Sequence, residues 1–537
     1  MNYIEMIRIS QIKLPINHSD SDLEKKVCKL LHIDKSALVS IDVSKKSLDA
    51  RKKPELMFVY TVDVVLKNEN KINKKILSGN IAKYNPVKYE FDAFGSEKLS
   101  HRPVIIGMGP AGLFAAYLLV KNGYKPIILE RGKSVEERKE DVDKYWETGV
   151  LDITSNVQFG EGGAGTFSDG KLNTVVKDKG GKNSFVLETF CKFGADKEIM
   201  YSNKPHIGTD VLIDVVKNMR NEIIQLGGEV RFQSQVTDFV VENNSLKALV
   251  INNDYKIDCD VAVLAIGHSA RDTFEKLNSI GIKMESKNFA VGVRIQHPQE
   301  MIDKKMYGFS HKESKVLAAS PYKLTGHADN GRSVFSFCMC PGGYVVDASS
   351  EEGKIAVNGM SYSKRDGINA NSAIIVSVTK EDYIGDDPLA GMHFQRTLEE
   401  KAYKEGRGAI PVQLFGDYCK NIKSEKFGEV TPCIKGKYNF GNINNIFPKE
   451  INAALQQCIK EFDNSIEGYS REDAIMAGVE SRTSSPVRIN RDENFESSVA
   501  GLYPCGEGAG YAGGITSAAM DGIRIFEAIA GKYSYKQ

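Results

Sequence analysis

Two glycine-rich segments carry the spacing most able to do chemistry. The first is Val104-Ile-Ile-Gly-Met-Gly-Pro-Ala-Gly112, and the second runs from Gly501 through Gly506-Glu-Gly-Ala-Gly-Tyr-Ala-Gly-Gly-Ile515. Each reads as a short apolar strand, a glycine turn and the start of a helix. Gly107, Gly109 and Gly112 match G-x-G-x-x-G. In that pattern the first glycine permits the tight turn, the second lets backbone approach a pyrophosphate, and the third lets helix pack on strand. Pro110 and Ala111 stand in the first turn of the helix, whose unpaired N–H groups and dipole favour phosphate oxygens. A second apolar run ends at Glu130, at the separation where an acid accepts ribose hydroxyls. A chain that makes such a turn early and again near its end can hold a long dinucleotide at both ends. That points to FAD, bound non-covalently, more than to NAD. No second G-x-G-x-x-G unit is visible, so NAD(P)H enters only as a transient electron donor.

These motifs need elements to position them. Residues 103–106 form a buried strand candidate, residues 111–122 a helix stopped by Gly123, and residues 126–129 a second strand. The same stretch, 104–120, is free of charge and close to a minimal membrane span. Its three glycines and Pro110 argue instead for a turn than for one continuous helix. Residues 210–226 are helix-like, and 229–232 read as a third strand. Residues 236–257 alternate around turn signals at Asn243-Asn-Ser and Asn252-Asn-Asp, as an antiparallel meander does. Residues 260–267 form a buried strand ending in Gly267. Residues 291–477 are less regular, which suits an inserted, mostly-β α+β domain for substrate. The predicted class is therefore α/β, with a Rossmann-type FAD-binding domain made from 99–290 and 478–537.

Residues 1–98 need their own explanation. A strand over 6–14, an amphipathic helix over 20–31 with Leu23, Val27, Leu30 and Leu31 on one face, and strands over 37–43 and 56–66 give the order β-α-β-β. That order suggests a small α+β domain of ferredoxin-like type. Between its last two strands lies Lys45-Lys-Ser-Leu-Asp-Ala-Arg-Lys-Lys53, a basic loop that is either solvated or in contact with RNA or another anion.

Taken together, the motifs resemble the glutathione-reductase-type FAD superfamily. More closely, the chain is similar to a family of uncharacterised bacterial FAD-dependent dehydrogenases with an extra N-terminal domain. The residues carrying the resemblance are Gly107 to Gly112, Glu130-Arg131-Gly132, Phe159-Gly-Glu-Gly-Gly-Ala-Gly-Thr-Phe-Ser-Asp-Gly-Lys-Leu172, Leu264-Ala-Ile-Gly-His268, Glu480-Ser-Arg-Thr-Ser-Ser-Pro-Val-Arg488 and Gly506 to Ile515. The resemblance implies FAD and names no substrate. It implies that Val236 touches adenine through its backbone. It gives Gly506 and Glu507 the strand end whose carboxylate accepts from a ribitol hydroxyl, with Glu507 standing where the superfamily usually carries Asp. Gly513, Gly514 and Ile515 open the last helix, over 516–530, toward the flavin edge where negative charge collects on reduction. Gly163, Gly165, Thr166 and Ser168 supply backbone and hydroxyl contacts near the pyrophosphate and ring. The disulfide reductases carry a cysteine pair at this point, and this chain has none there, which argues against dithiol chemistry at that face. Asp169 and Lys171 suit turn or capping roles, with catalysis as the alternative.

Catalytic candidates are scattered. Arg482 and Arg488 flank Thr483-Ser-Ser-Pro486 and are the preferred site-facing cations. Arg294, His297, His327 and Arg332 are alternatives able to bind an acidic substrate or deliver a proton. Cys338 and Cys340 stand two apart on a strand ahead of a Pro-Gly-Gly turn and point the same way, so the expected role is packing and the alternative is redox chemistry. No metal ligand set is expected. The function predicted is an FAD-dependent oxidoreductase moving hydride through the isoalloxazine ring. The alternatives are a reductase saturating an alkene in a hydrophobic substrate and an FAD-dependent RNA-modifying or RNA-binding protein.

Composition excludes little beyond this. The chain has 537 residues, 71 Lys and Arg against 70 Asp and Glu, and a net charge of +1. Nothing global points to DNA or an anionic membrane. Nine scattered cysteines and a start without a basic and then apolar stretch fit a reduced, cytoplasmic protein.

Overall fold

The structure is a computed structural model that describes residues 6–67, 77, 79–383 and 385–534. Its centre is a parallel sheet of five short strands in the order Leu502–Pro504, Ala262–Leu264, Val104–Ile106, Ile127–Leu129 and Glu229–Arg231. The first four are buried along their whole length, which is why they read as short apolar runs with no alternation. Helix Pro110–Lys121 follows the first glycine turn, and helix Ile515–Lys532 packs along it. Gly522 permits that approach, because a Cβ there would overlap the Ala111 carbonyl oxygen. The meander Val236–Glu242, Ser245–Ile251 and Tyr255–Asp258 forms a separate antiparallel sheet. The charge-free stretch resolves into a strand, a turn and a 12-residue helix. Among the described residues no helix is long and apolar enough to cross a membrane.

Strand Phe289–Pro298 leaves this unit and strand Ile475–Glu480 returns to it. The two are hydrogen-bonded neighbours in a seven-stranded, largely antiparallel sheet. Its core includes Val291, Val293, Ile295, Ile374 and Val376 packed with Leu455 and Ile459 of helix Lys449–Phe462. A smaller three-stranded sheet, Val357–Met360, Tyr344–Asp347 and Ile434–Lys435, adjoins it.

At the N-terminal end, strands Leu38–Asp49, Met57–Leu66, Met6–Pro15 and Ile81–Tyr84 make one antiparallel sheet in that order, with helix Asp20–Leu31 on it. The fourth strand was not read from sequence. The supposed basic loop is half strand, because Leu38–Asp49 runs through Lys45 to Asp49. Some of it is tied to the rest of the chain. Arg51 pairs with Asp49 at 2.6 Å, Lys46 donates its backbone N–H to Tyr201, and Lys53 reaches the Lys305 carbonyl.

Candidate active site

A cleft of about 390 Å³ opens between the parallel sheet and the seven-stranded sheet. Its outer part is made almost wholly of backbone. Gly107 sits at φ +96°, and a Cβ there would lie 2.5 Å from the Ala265 carbonyl oxygen. Gly109 caps helix Pro110–Lys121, and its Cα lies 3.1 Å from where a Cβ of Gly163 would stand. The two glycines let two loops touch at the helix N-terminus. Gly112 does not line the cleft. A side chain there would overlap the Gly107 carbonyl oxygen, so this glycine serves helix–strand packing.

Glu130 is buried at the end of its strand and also lines the cleft. Its carboxylate accepts backbone N–H groups from Met108 at 2.9 Å, Gly132 at 2.9 Å and Gly160 at 3.0 Å. The sequence assigned it a ribose. The structure gives it a prior task, to tie the glycine turn to the 159–163 loop, with one lone pair on Oε2 left over. Arg131 lines the same end, pairs with Asp272 at 3.0 Å and lies over the Phe159 ring. Val236 is there too.

Sequence reasoning missed Arg138. Its side chain is wholly buried and donates to the carbonyls of Asn156 at 2.8 Å, Val157 at 2.9 Å, Glu161 at 2.7 Å and Gly163 at 3.0 Å. One guanidinium thus holds the Phe159-Gly-Glu-Gly-Gly loop in place. Gly163, Gly165 and Ser168 line the cleft as expected. Thr166 does not. It is fully buried, and its hydroxyl lies against Gly162, away from the opening.

At the second segment, Gly506 also turns away from the cleft lining. It sits at φ +77°, and its N–H is held at 2.8 Å by Asp521, itself paired with Arg491 at 2.8 Å. Glu507, Gly513, Gly514 and Ile515 do line the cleft. A Cβ on Gly513 or Gly514 meets no protein atom within 4 Å, so any side chain there would project into the opening. Gly514 caps helix Ile515–Lys532 with φ 166°, extended backbone that any residue adopts. Its glycine is therefore a matter of space and not of a strained turn. Gly267 lines the floor beside His268, a residue the sequence reading quoted but did not single out. His268 Nδ1 lies 3.8 Å from Glu507 Oε1, and its buried Nε2 has no partner among the described residues. Burial, with Arg482 and Arg271 close by, pushes the imidazole down to about 4. Burial pushes the Glu507 carboxyl up to about 7. At neutral pH the imidazole is uncharged and the carboxyl is near its midpoint.

The inner part is built from side chains. Arg482 lines it, but its guanidinium is committed to Glu399 at 2.9 and 3.0 Å, to Ser269 and to Ser350. Arg271 grips the same buried Glu399 at 2.8 Å. Arg482 is thus a site-facing cation already neutralised. Arg488 lies outside the lining, half exposed and 3.3 Å from Glu285. His327 sits on an exposed edge strand against Ser333. His297 is buried against the Tyr469 carbonyl, and Arg332 is paired with Asp382 and bonded to the Ser377 carbonyl. Neither is in the lining. Of the two preferred cations only Arg482 reaches the cleft.

Cys338 and Cys340 both line it, Cys340 from a fully buried position. The strand is bulged between Phe337 and Cys340, and Cys338 takes φ +40° with its side chain exposed to the cleft. Asp169 and Lys171 are more than turn residues. The Asp169 carboxylate is buried, pairs with Lys171 at 2.7 Å and with Arg365, and accepts from Ser361. Burial opposes its charge, yet Lys171 and Arg365 hold the carboxyl below the usual carboxylate range. Arg294 lies fully buried behind this wall, on Glu480 at 2.7 Å.

Comparison with known proteins bears on this geometry. Residues 288–483, the span of the seven-stranded sheet, match a family model described as "FAD-dependent protein, C-terminal domain-like". Residues 6–65 match a domain of unknown function. An uncharacterised protein of Clostridium beijerinckii is 48% identical over 531 residues, covering 98% of this chain and 99% of its own length. Among solved structures, glycine oxidase from Bacillus cereus is 11% identical, with 80% of this chain and 94% of that one covered at a TM-score of 0.30. L-proline dehydrogenase from P. horikoshii is 13% identical, with 80% and 93% covered at 0.31. Those scores are too low to carry an argument about this site.

Proposed function

This chain belongs to a family of FAD-dependent proteins, and on that premise we propose that it is a flavoprotein oxidoreductase with its cofactor in the cleft just described. The observation that carries the reading is the glycine cradle. Gly107, Gly109 and Gly163 bring two loops together at a helix N-terminus, and Gly513 and Gly514 leave a second helix N-terminus open to the same space. Helix N-termini and glycine-lined backbone are what a dinucleotide's phosphates and an electron-rich ring require.

In this reading Glu130, Arg131 and Val236 take the adenosine end, Gly109 to Ala111 with Gly163 take the pyrophosphate, and Glu507 and Gly513 to Ile515 take the flavin end. Bound FAD supplies an acceptor for hydride. The chain supplies the rest. Helix Ile515–Lys532 presents its positive end to that part of the cleft. Glu507 is the group able to hold or release a proton near neutrality, next to the neutral His268. The Arg271–Glu399–Arg482 network fixes the two sheets on either side of the opening. A pyridine nucleotide would act as a passing donor, since the chain carries a single G-x-G-x-x-G turn.

The test is an anaerobic metabolite screen on the purified protein, read by bleaching of the flavin absorbance. The expected result is at least one small-molecule donor that bleaches the flavin, with colour restored by an added acceptor. FAD that stays oxidised with every donor class, NAD(P)H included, would contradict an oxidoreductase.

A further inference from the structure

Resting on the reading of the cleft as a flavin site, we propose that its inner end recognises a monocarboxylate on the substrate, through Lys171 and the amide of Asn358. A guanidinium has five donors and no acceptor, so whatever faces it must present oxygen. Arg294 reaches Asn358 Oδ1 at 3.0 Å, Asn371 Oδ1 at 3.1 Å, the Cys338 carbonyl at 2.8 Å and the Glu480 carboxylate at 2.7 Å. Both asparagine amides are thereby fixed with oxygen inward and NH₂ away from the arginine. Asn371 Nδ2 is buried without a partner. Asn358 lines the cleft, and its NH₂ has no partner among the described residues.

Gly359 beside it is required by this arrangement. A Cβ there would overlap the Arg294 guanidinium. The strand Val357–Met360 is therefore pressed against the arginine, and Asn358 is the residue that it offers to the cleft.

Across the wall, the Lys171 ammonium lies 2.7 Å from Asp169 and reaches the Met339 carbonyl, which uses two of its three protons. Its side chain is one-third exposed, and it lines the same opening. Asp169 is shared with the buried Arg365, so Lys171 is not neutralised by it. Around this end stand the cations Lys171, Arg365 and Arg294 against the carboxylates Asp169 and Glu480. The excess is a single positive charge, and the unused donors that line the cleft belong to Lys171 and Asn358. The carboxylates that line this end, Asp169 and Glu480, are held in ion pairs, so unpaired donors with one surplus positive charge favour one anionic oxygen pair over a neutral amide, which presents N–H to N–H. They also favour a monoanion over a dianion.

The test uses the full chain as purified and titrates acetate, benzoate and succinate against acetamide, benzamide and succinamide, with inorganic phosphate as a further arm. Binding is read by calorimetry and by perturbation of the flavin spectrum. Monocarboxylates are expected to bind at least about tenfold more tightly than their amides and than phosphate. Asn358→Asp keeps the Arg294 contact and turns donors into an acceptor, so it is expected to weaken carboxylate binding at least about tenfold with FAD content unchanged. Lys171→Met is expected to do the same, and Lys171→Arg to restore part of it. Amides or phosphate binding as well as carboxylates, no carboxylate binding at millimolar concentration, or an Asn358→Asp protein that binds benzoate as the parent does would each overturn the proposal. The two readings fail separately. A protein without flavin sinks the cofactor site, while calorimetry still reports whether the wall holds a carboxylate.

Discussion

The turn at Gly107 to Gly112 and the pair Gly513–Gly514 both look like glycine fingerprints, yet they are glycine for different reasons. In the first, the protein itself fills the space. A Cβ at Gly107 would press on the Ala265 carbonyl, and one at Gly112 would overlap the Gly107 carbonyl. In the second, a Cβ meets no protein atom within 4 Å, and the backbone at Gly514 is ordinary extended chain. Glycine in the first turn is demanded by the fold. In the second it is demanded by the cleft. The same residue type therefore predicts different losses, and stability of the protein stripped of cofactor should separate them.

The largest loss is expected at Gly112. Gly112→Val forces a branched side chain between helix and strand and should cost about 3 kcal/mol or more, read by thermal or denaturant unfolding. A protein of parental stability would mean that the helix does not sit on the turn as described. Glu130→Ala comes next. It removes the acceptor of three backbone N–H groups, one of them in the 159–163 loop, and should cost about 2 kcal/mol in unfolding. Cofactor affinity should fall as well, by about 1–3 kcal/mol for the lost bond to a charged group. Loss of affinity with no loss of stability would restore Glu130 to a pure ribose contact.

A smaller effect is expected at Glu507 and depends on pH. Burial raises its carboxyl from an ordinary 4.5 to about 7, so the folded state holds a proton that the unfolded state has released between those values. Stability from this group is present below about 4.5 and is lost as pH rises to about 7. Glu507→Gln carries no such loss and should gain about 1–2 kcal/mol on the parent above neutrality. The difference between the two unfolding curves over that window checks it, and a flat difference would place Glu507 in solvent. The smallest effect on stability is expected at Gly514. Gly514→Val should change unfolding by less than about 1 kcal/mol while FAD occupancy is lost.

That contrast also explains what the sequence could show. Glycine turns are local, so Gly107 and Gly109 were legible from spacing, as were the helix Asp20–Leu31 and the meander that starts at Val236, while Gly163, Gly513 and Gly514 came with the family resemblance. The inner end was not legible, because its bonds join residues far apart in the chain. Asp169 meets Arg365 and Arg294 meets Glu480 across nearly 200 positions. Arg138 sits in Val-Glu-Glu-Arg-Lys-Glu-Asp, a charged run that reads as a solvated helix face, yet its guanidinium is wholly buried. Thr166 and Gly506 lie outside the cleft lining, because motif membership does not say which way a residue points. His268 had a signal in the quoted Leu264 to His268 motif, but its significance lies in Glu507, which arrives 239 residues later.

The account's central claim is that this cleft holds FAD through backbone at two helix N-termini. The most direct measurement is FAD content per chain, by absorbance after denaturing release, in the parent and in Gly514→Val prepared alike. The account predicts a yellow parent with close to one FAD per chain and a folded, colourless variant. A parent that is colourless and cannot be reconstituted, or a variant that carries FAD as the parent does, would contradict it.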